Sequence, residues 1–266
     1  MNWIGLNTLI KREVGRFFAV YRQTVLPGLI TTALYIAIFG FTLEQRISEI
    51  QGIPYTMFIL PGLIMMNTLT NATSNTASSM LQMKLLQQLP DLLTAPLSGL
   101  EIALAYIVGG AVRGIVNGVL VLLLGVLLID MPVDNLFGTL MFIFLVSWAF
   151  SSMGLLLGQL AESWDQLAMM QNFFLTPLSF LGGIFYSINM LPDWAQTLSF
   201  INPIYYMING IRYTVLGVSD SEVKISILMA IVLTFSFTIA SILFMQSGKK
   251  IKIEYTFYTL IIYFCF

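Results

Sequence analysis

The chain has 266 residues, 58% of them hydrophobic and 9% charged, with a mean hydropathy of +0.87. A soluble domain carries roughly 25% charged residues, so the composition describes an integral membrane protein with room for about six spanning helices in one domain. Lys and Arg number 12 against 13 Asp and Glu, so no long-range field argues for nucleic acid, while the single Cys265 excludes an intramolecular disulfide and a thiolate cluster and the lack of histidine removes imidazole chemistry.

In chain order, Trp3, Leu6, Ile10, Val14, Phe17 and Tyr21 share one helical face and Arg12 and Arg16 lie opposite, the pattern of a helix lying along the membrane interface. Residues 1–22 are therefore predicted as a cytosolic interfacial helix. The charges Lys11, Arg12, Glu13 and Arg16 speak against a cleaved signal peptide. A first span is expected over 24–43, with Pro27 in its first turn and Glu44, Arg46 and Glu49 at its exit. A second is expected over about 54–76, its polar end formed by the Asn-, Ser- and Thr-rich segment 71–79. The third covers about 102–129 and ends at Asp130, Pro132 and Asp134; the fourth covers about 136–160 and is followed by the acidic turn Glu162-Ser163-Trp164-Asp165.

The fifth span starts near Leu167 and runs into a stretch, 173–217, that is apolar but repeatedly interrupted by Pro177, Gly182-Gly183, Pro192, Pro203 and Gly210. Its charges are Asp193 and Arg212. Irregular backbone at membrane depth is tolerated only where protein or a water-filled cavity satisfies it, so this stretch points to transport. The sixth span is expected over 225–245. With the N-terminus inside, 8 Lys and Arg (Lys11, Arg12, Arg16, Arg22, Lys84, Lys249, Lys250, Lys252) fall on one side and 3 (Arg46, Arg212, Lys224) on the other, which places both termini in the cytoplasm. The stretch 23–248 thus forms one six-span domain, and 249–266 a basic cluster with a short apolar tail.

Arg113 lies 12 residues past Glu101, about 18 Å along a helix, well inside the hydrocarbon. An arginine there must face protein or water rather than lipid. Two readings stay open: contact with an anionic substrate group, or a structural pairing with a neighbouring helix. Gly110, Gly114 and Gly118, repeated by Gly154 and Gly158, predict close helix packing. In the connection 84–101, KLLQQLPDLLTAPLSGLE, a short helix is expected to open near Pro90-Asp91, either docking a cytosolic subunit or resting on the membrane. No G-x-x-x-x-G-K-[ST] loop is present, so ATP hydrolysis is expected on another polypeptide, and no acid falls near a predicted midplane to drive ion coupling.

The segments PDLLTAPLS (90–98), YIVGGAVRG (106–114) and above all 177–217, with its P-L-S-F-L-G-G-I-F, L-P and N-P-I-Y-Y elements and Arg212, resemble the ABC-2 type permeases, membrane subunits of bacterial ABC exporters of polysaccharides, lipooligosaccharides and drugs. The resemblance implies an all-α, six-span subunit working as a homodimer with two copies of a separate P-loop ATPase that binds the Mg-ATP, in the bacterial cytoplasmic membrane. It implies coupling to the ATPase through Arg12, Arg16, Leu89, Pro90, Asp91 and Leu92, with Glu162 and Asp165 in the other cytosolic turn. It also implies a re-entrant helical element between spans five and six, 186–217, with a gate built from Gly182, Gly183, Pro192, Asn202, Pro203, Tyr206 and Arg212. The tail after the basic cluster departs from the family pattern. A gradient-driven carrier or channel without an ATPase is the rival reading, and an enzyme acting on lipid-linked substrates is a third, for which no polar catalytic cluster is visible.

Overall fold

The computed structural model describes residues 1–39 and 49–247, so the exit of the first span at Glu44 and Arg46, the basic cluster and the apolar tail lie outside the described residues. Helix α1, Trp3–Ala19, starts where the Asn2 side chain accepts a hydrogen bond from the Gly5 amide at 3.0 Å. Helix α2, Tyr21–Ile38, follows after a break at Val20. Pro27 therefore sits inside the helix and not in its first turn as the sequence suggested, because the chain re-enters helix at Tyr21.

A two-residue turn, Gln51-Gly52, joins strands β1, Glu49–Ile50, and β2, Ile53–Pro54; both turn residues have positive φ, the geometry that matches the twist of a tight hairpin. Helix α3, Tyr55–Leu85, is the centre of the molecule, flanked by α5, Gly99–Ile129, and α6, Leu136–Leu160. Between α3 and α5 the short helix α4, Leu89–Thr94, carries Pro90 in its first turn. Helix α5 opens on a full capping box, in which Ser98 Oγ accepts from the Glu101 amide at 3.3 Å and Glu101 accepts from the Ser98 amide at 2.6 Å. We expect Ser98→Ala to lower stability in detergent by about 1 kcal/mol, read as a lower unfolding midpoint; an unchanged midpoint would remove the cap from the account.

The asparagine- and threonine-rich segment 71–79 is not the polar end of a span. It is the interior of α3, which continues to Leu85. Its threonine hydroxyls bond back to their own helix, Thr73 Oγ1 to the Leu69 carbonyl at 2.8 Å and Thr76 Oγ1 to the Ala72 carbonyl at 3.3 Å, so burial leaves them satisfied. Both glycine rows face this helix. A side chain at Gly110, Gly114 or Gly118 would strike Thr76, Ala72 or Thr68, and one at Gly154 or Gly158 would strike the α3 backbone at Thr73 or Ala77. The absence of Cβ atoms is what lets three helices approach so closely.

After α6 come α7, Trp164–Met170, a π-helical turn, Gln171–Leu175, and α8, Thr176–Leu181. Pro177 does not interrupt them. Proline offers no N–H to the carbonyl four residues back and crowds it; the widened turn just ahead, in which the Thr176 amide reaches the Gln171 carbonyl, relieves that conflict. The real breaks are Gly183, at φ 78°, then a 3₁₀ turn Ile188–Met190, Pro192 before α9, Asp193–Ile201, and Asn202-Pro203 before α10, Pro203–Leu216. Gly210 is no break either: it lies inside α10, where the ring of Phe142 occupies the space of a side chain. Gly217, at φ 71°, ends α10, and α11, Val223–Ser247, closes the chain's described part.

Among the described residues, α5, α6 and α11 are long and apolar enough to cross a membrane. The other predicted spans fall on α2, on α3 and on the stretch from α7 to α8, which are helical but shorter or more polar.

Candidate functional site

Arg113 is one residue before the midpoint of α5, and Asn71 is one residue past the midpoint of α3. They meet: Arg113 Nε and Nη2 donate to Asn71 Oδ1 at 3.1 and 3.0 Å. Around them α3 presents one polar face, Asn67, Thr70, Asn71, Ser74 and Ser78, whose spacings of three and four set them along one side of the helix. This face is open, with Thr70 exposed and Asn67, Ser74, Ser78 and Arg113 half-buried. Gln171 of the π turn reaches Ser74 at 3.5 Å, and Asn67 Nδ2 donates to Thr32 of α2 at 3.1 Å. The middle of the two longest helices thus carries a polar surface that neither packing nor lipid satisfies fully.

One turn along, α1 delivers a second guanidinium to the same place. Arg16 Nη2 donates to the carbonyl and the side-chain oxygen of Asn75 at 2.7 and 3.1 Å. Burial pulls the Arg16 guanidinium below the ordinary arginine range. Its helix does so because Glu13 is buried on the α3- and α5-facing side, against Gly109, and takes a hydrogen bond from Ser79 at 2.6 Å and from Arg12 at 2.9 Å. Arg12 then reaches the Tyr106 hydroxyl at 3.0 Å. This corrects the sequence reading of α1 in one respect. The face it buries is Leu6, Leu9, Glu13 and Phe17, with Trp3 exposed; Arg16 folds back into the bundle, while Arg12 stays exposed and bends over Glu13 and Tyr106 instead of pointing away. Contacts of α1 climb α5 from Glu101 at Asn2 to Gly109 at Glu13, about 12 Å of axial rise.

At the far end, Arg212 of α10 is wholly buried. Its Nη1 lies 3.3 Å from Asp220 Oδ2, its Nη2 donates to the Gly183 carbonyl at 2.6 Å, and its guanidinium sits 4.0 Å from the Phe58 ring centroid. Asp220 in turn accepts from Ser187 at 2.5 Å and from Gln51 at 2.6 Å, and its amide donates to Asn209 at 2.7 Å. One ion pair therefore ties together the Gly182-Gly183 turn, the 3₁₀ turn, the hairpin and the loop after α10. Beside it, Asn202 caps α10 and donates to the Leu178 carbonyl at 2.6 Å, Tyr206 donates to the Phe200 carbonyl at 2.8 Å, and Gly182 packs under Ile208. Pro192 is exposed at the start of α9 and Pro203 half-buried at the start of α10.

The opposite end gathers the other residues singled out in the sequence. Lys84 Nζ donates to the Gln159 and Ala161 carbonyls at 2.7 and 2.6 Å, clamping the end of α6 beside the end of α3. Leu89 and Leu92 turn inward onto Leu6, Leu9 and Ile102, while Pro90 and Asp91 stay exposed. Glu162 and Asp165 are exposed in the neighbouring turn, with Leu85, Leu86, Leu93 and Trp164 uncovered around them. Arg113 and Arg16 lie in the body of the bundle, Arg12 at its surface, and the residues of 182–212 at its other end.

Sequence reasoning did not assign Glu13 or Asp220 a role. Glu13 had a signal, since it falls on the Leu6, Leu9, Phe17 register between two arginines; Asp220 had none stronger than an acid following the Gly217 turn.

A profile of the ABC-2 type transporter family matches residues 5–216. The chain is 36% identical over 250 residues, covering 94% of it and 98% of the relative, to the inner membrane transport permease YadH of Escherichia coli K12. It is 27% identical to nodulation protein J of Sinorhizobium fredii over 65% of this chain and 66% of that one, and 25% identical to nodulation protein J of Rhizobium leguminosarum bv. viciae over 82% and 83%. With a largely helical body, three helices among the described residues fit to cross a membrane and a family match over most of its length, the chain is a membrane transport permease that belongs to the ABC-2 type transporter family.

Proposed function

We propose that this chain is the permease subunit of an ATP-driven exporter in a bacterial inner membrane. Two copies form a homodimer with six spans each and cytoplasmic termini, and a separate P-loop ATPase in two copies binds and hydrolyses Mg-ATP. The cargo is amphiphilic or polymeric: a polysaccharide, a lipid-linked oligosaccharide or a drug. The observation that carries this reading is the open polar face of α3 with Arg113 at mid-helix. A surface of that kind at membrane depth is stable where it lines a wet path or meets a second subunit, and it is costly against lipid.

The coupling surface in this reading is the end that carries Pro90, Asp91, Glu162 and Asp165 among uncovered Leu85, Leu86, Leu93 and Trp164, a mixed apolar and acidic patch suited to a soluble partner. The broken segment 186–217 forms the re-entrant element, part of a gate at the outer end that Arg212 and Asp220 hold in one piece. A carrier or channel without an ATPase would share the polar face, and reconstitution separates the two. In proteoliposomes we expect export only when the ATPase that co-purifies from the native host is added with ATP. Transport by the chain alone would sink the exporter reading.

A further inference from the structure

The same region holds more cationic and donor groups than its own residues use. Arg113 is bound only to the neutral oxygen of Asn71, and among the described residues it makes no ion pair. Asn71 and Asn75 are one helical turn apart on α3, so the guanidiniums they hold, Arg113 and Arg16, stand about 6 Å from each other along the helix. The carboxylate nearby is Glu13, whose side chain is 2% exposed and already engaged by Arg12 and Ser79, with Arg16 Nε at 3.7 Å. Glu13 thus serves Arg12 and Arg16, and Arg113 has no carboxylate partner among the described residues.

Two donors are left over. Asn75 is 2% exposed and its side-chain NH₂ group has no hydrogen-bond partner; Arg16 Nε is buried and likewise makes no hydrogen bond. An unfilled buried donor is destabilising, and these two belong to the pair, Arg16 and Asn75, that joins α1 to α3. What supplies several acceptor oxygens, carries negative charge and fits between paired guanidiniums is a phosphate group. The site opens on the half-exposed face of Ser74 and Ser78.

We infer that Arg16 and Arg113, with Asn71 and Asn75 between them, form a binding site for a phosphate ester anion partway down the bundle. Arg16 comes from α1 and Arg113 from α5, so the bound phosphate bridges the N-terminal helix to the bundle core. Binding requires no nucleotide and no second protein, and so it stands or falls apart from the ATPase reading.

The test uses the full chain purified in phosphatidylcholine nanodiscs, with binding read by native mass spectrometry and by the shift in unfolding midpoint. Inorganic phosphate, phosphatidylglycerol and a polyprenyl phosphate are titrated separately, which distinguishes a free anion, a bulk lipid headgroup and a lipid-linked carrier. We expect saturable binding of at least one, weakened about tenfold or more by Arg113→Gln and by Arg16→Gln, and unchanged by Lys224→Gln, which removes an exposed cation elsewhere. Because an arginine variant can fail for reasons of folding, Asn71→Asp provides a second route. Its carboxylate pairs with Arg113 through the oxygen already in contact, so the protein folds while phosphate is displaced. Retained binding in Asn71→Asp, or the absence of binding by all three phosphates in the unaltered chain, overturns the inference.

Discussion

Replacing Asp220 with asparagine is expected to unfold the gate end of the molecule. The pair it forms with Arg212 is wholly buried, each side chain only 1% exposed, and removing one partner of such a pair costs about 3–5 kcal/mol because the remaining charge is stranded. Arg212 has no substitute: its other contacts are the Gly183 carbonyl and the Phe58 ring. The expected readout is a large drop in unfolding midpoint with early proteolysis between Gly183 and Gly217. A double variant, Arg212→Met with Asp220→Asn, removes both charges and should recover part of the loss. If it is no better than the single variant, the cost lies in the hydrogen bonds of Asp220 to Ser187 and Gln51 and not in the charge.

Gly154→Ala is expected to be nearly as damaging, although it adds one methyl group. The new carbon would fall on the Thr73 carbonyl oxygen and lie 2.9 Å from the Thr73 Cα, which are backbone atoms of the central helix and have nowhere to go. Either α6 or α3 must move, at a cost at or above the usual 1–3 kcal/mol or so of overpacking. Gly15→Ala is the matched control. Nothing lies within 4 Å of a side chain there, and alanine in a helix interior gains about 0.5–1 kcal/mol over glycine. Opposite signs for the two substitutions, measured side by side in detergent, would establish close backbone approach as the cause; equal effects would falsify it.

Much of the fold was legible because spacing survives without knowledge of the partner. Gly110, Gly114 and Gly118 announced a close contact, although which helix they met was not readable. The proline at the start of α4 is local, and local geometry needs no tertiary information. Misreadings arose where a neighbour overrode local chemistry. The segment 71–79 reads as a polar exit, yet it is helix interior because its hydroxyls bond their own carbonyls and α5 and α6 enclose it. Pro177 reads as a break, yet one widened turn absorbs it. Glu13 and Asp220 have charged partners close in sequence, but their bonds to Ser79, Ser187 and Gln51 join distant segments, and a linear sequence carries no trace of such pairings.

The π turn at Gln171–Leu175 has a consequence for motion. It stores one residue more than an α turn would need between α7 and α8. Tightening it to α-helical winding would turn everything beyond it by about 100° and shift it by about 1.5 Å relative to α7. The helix therefore contains a unit of slack. Trp164 and Asp165 can stay seated at one end while Gly182 and Gly183, some 20 residues on, are drawn in or released, and a displacement at one surface reaches the other as a rotation.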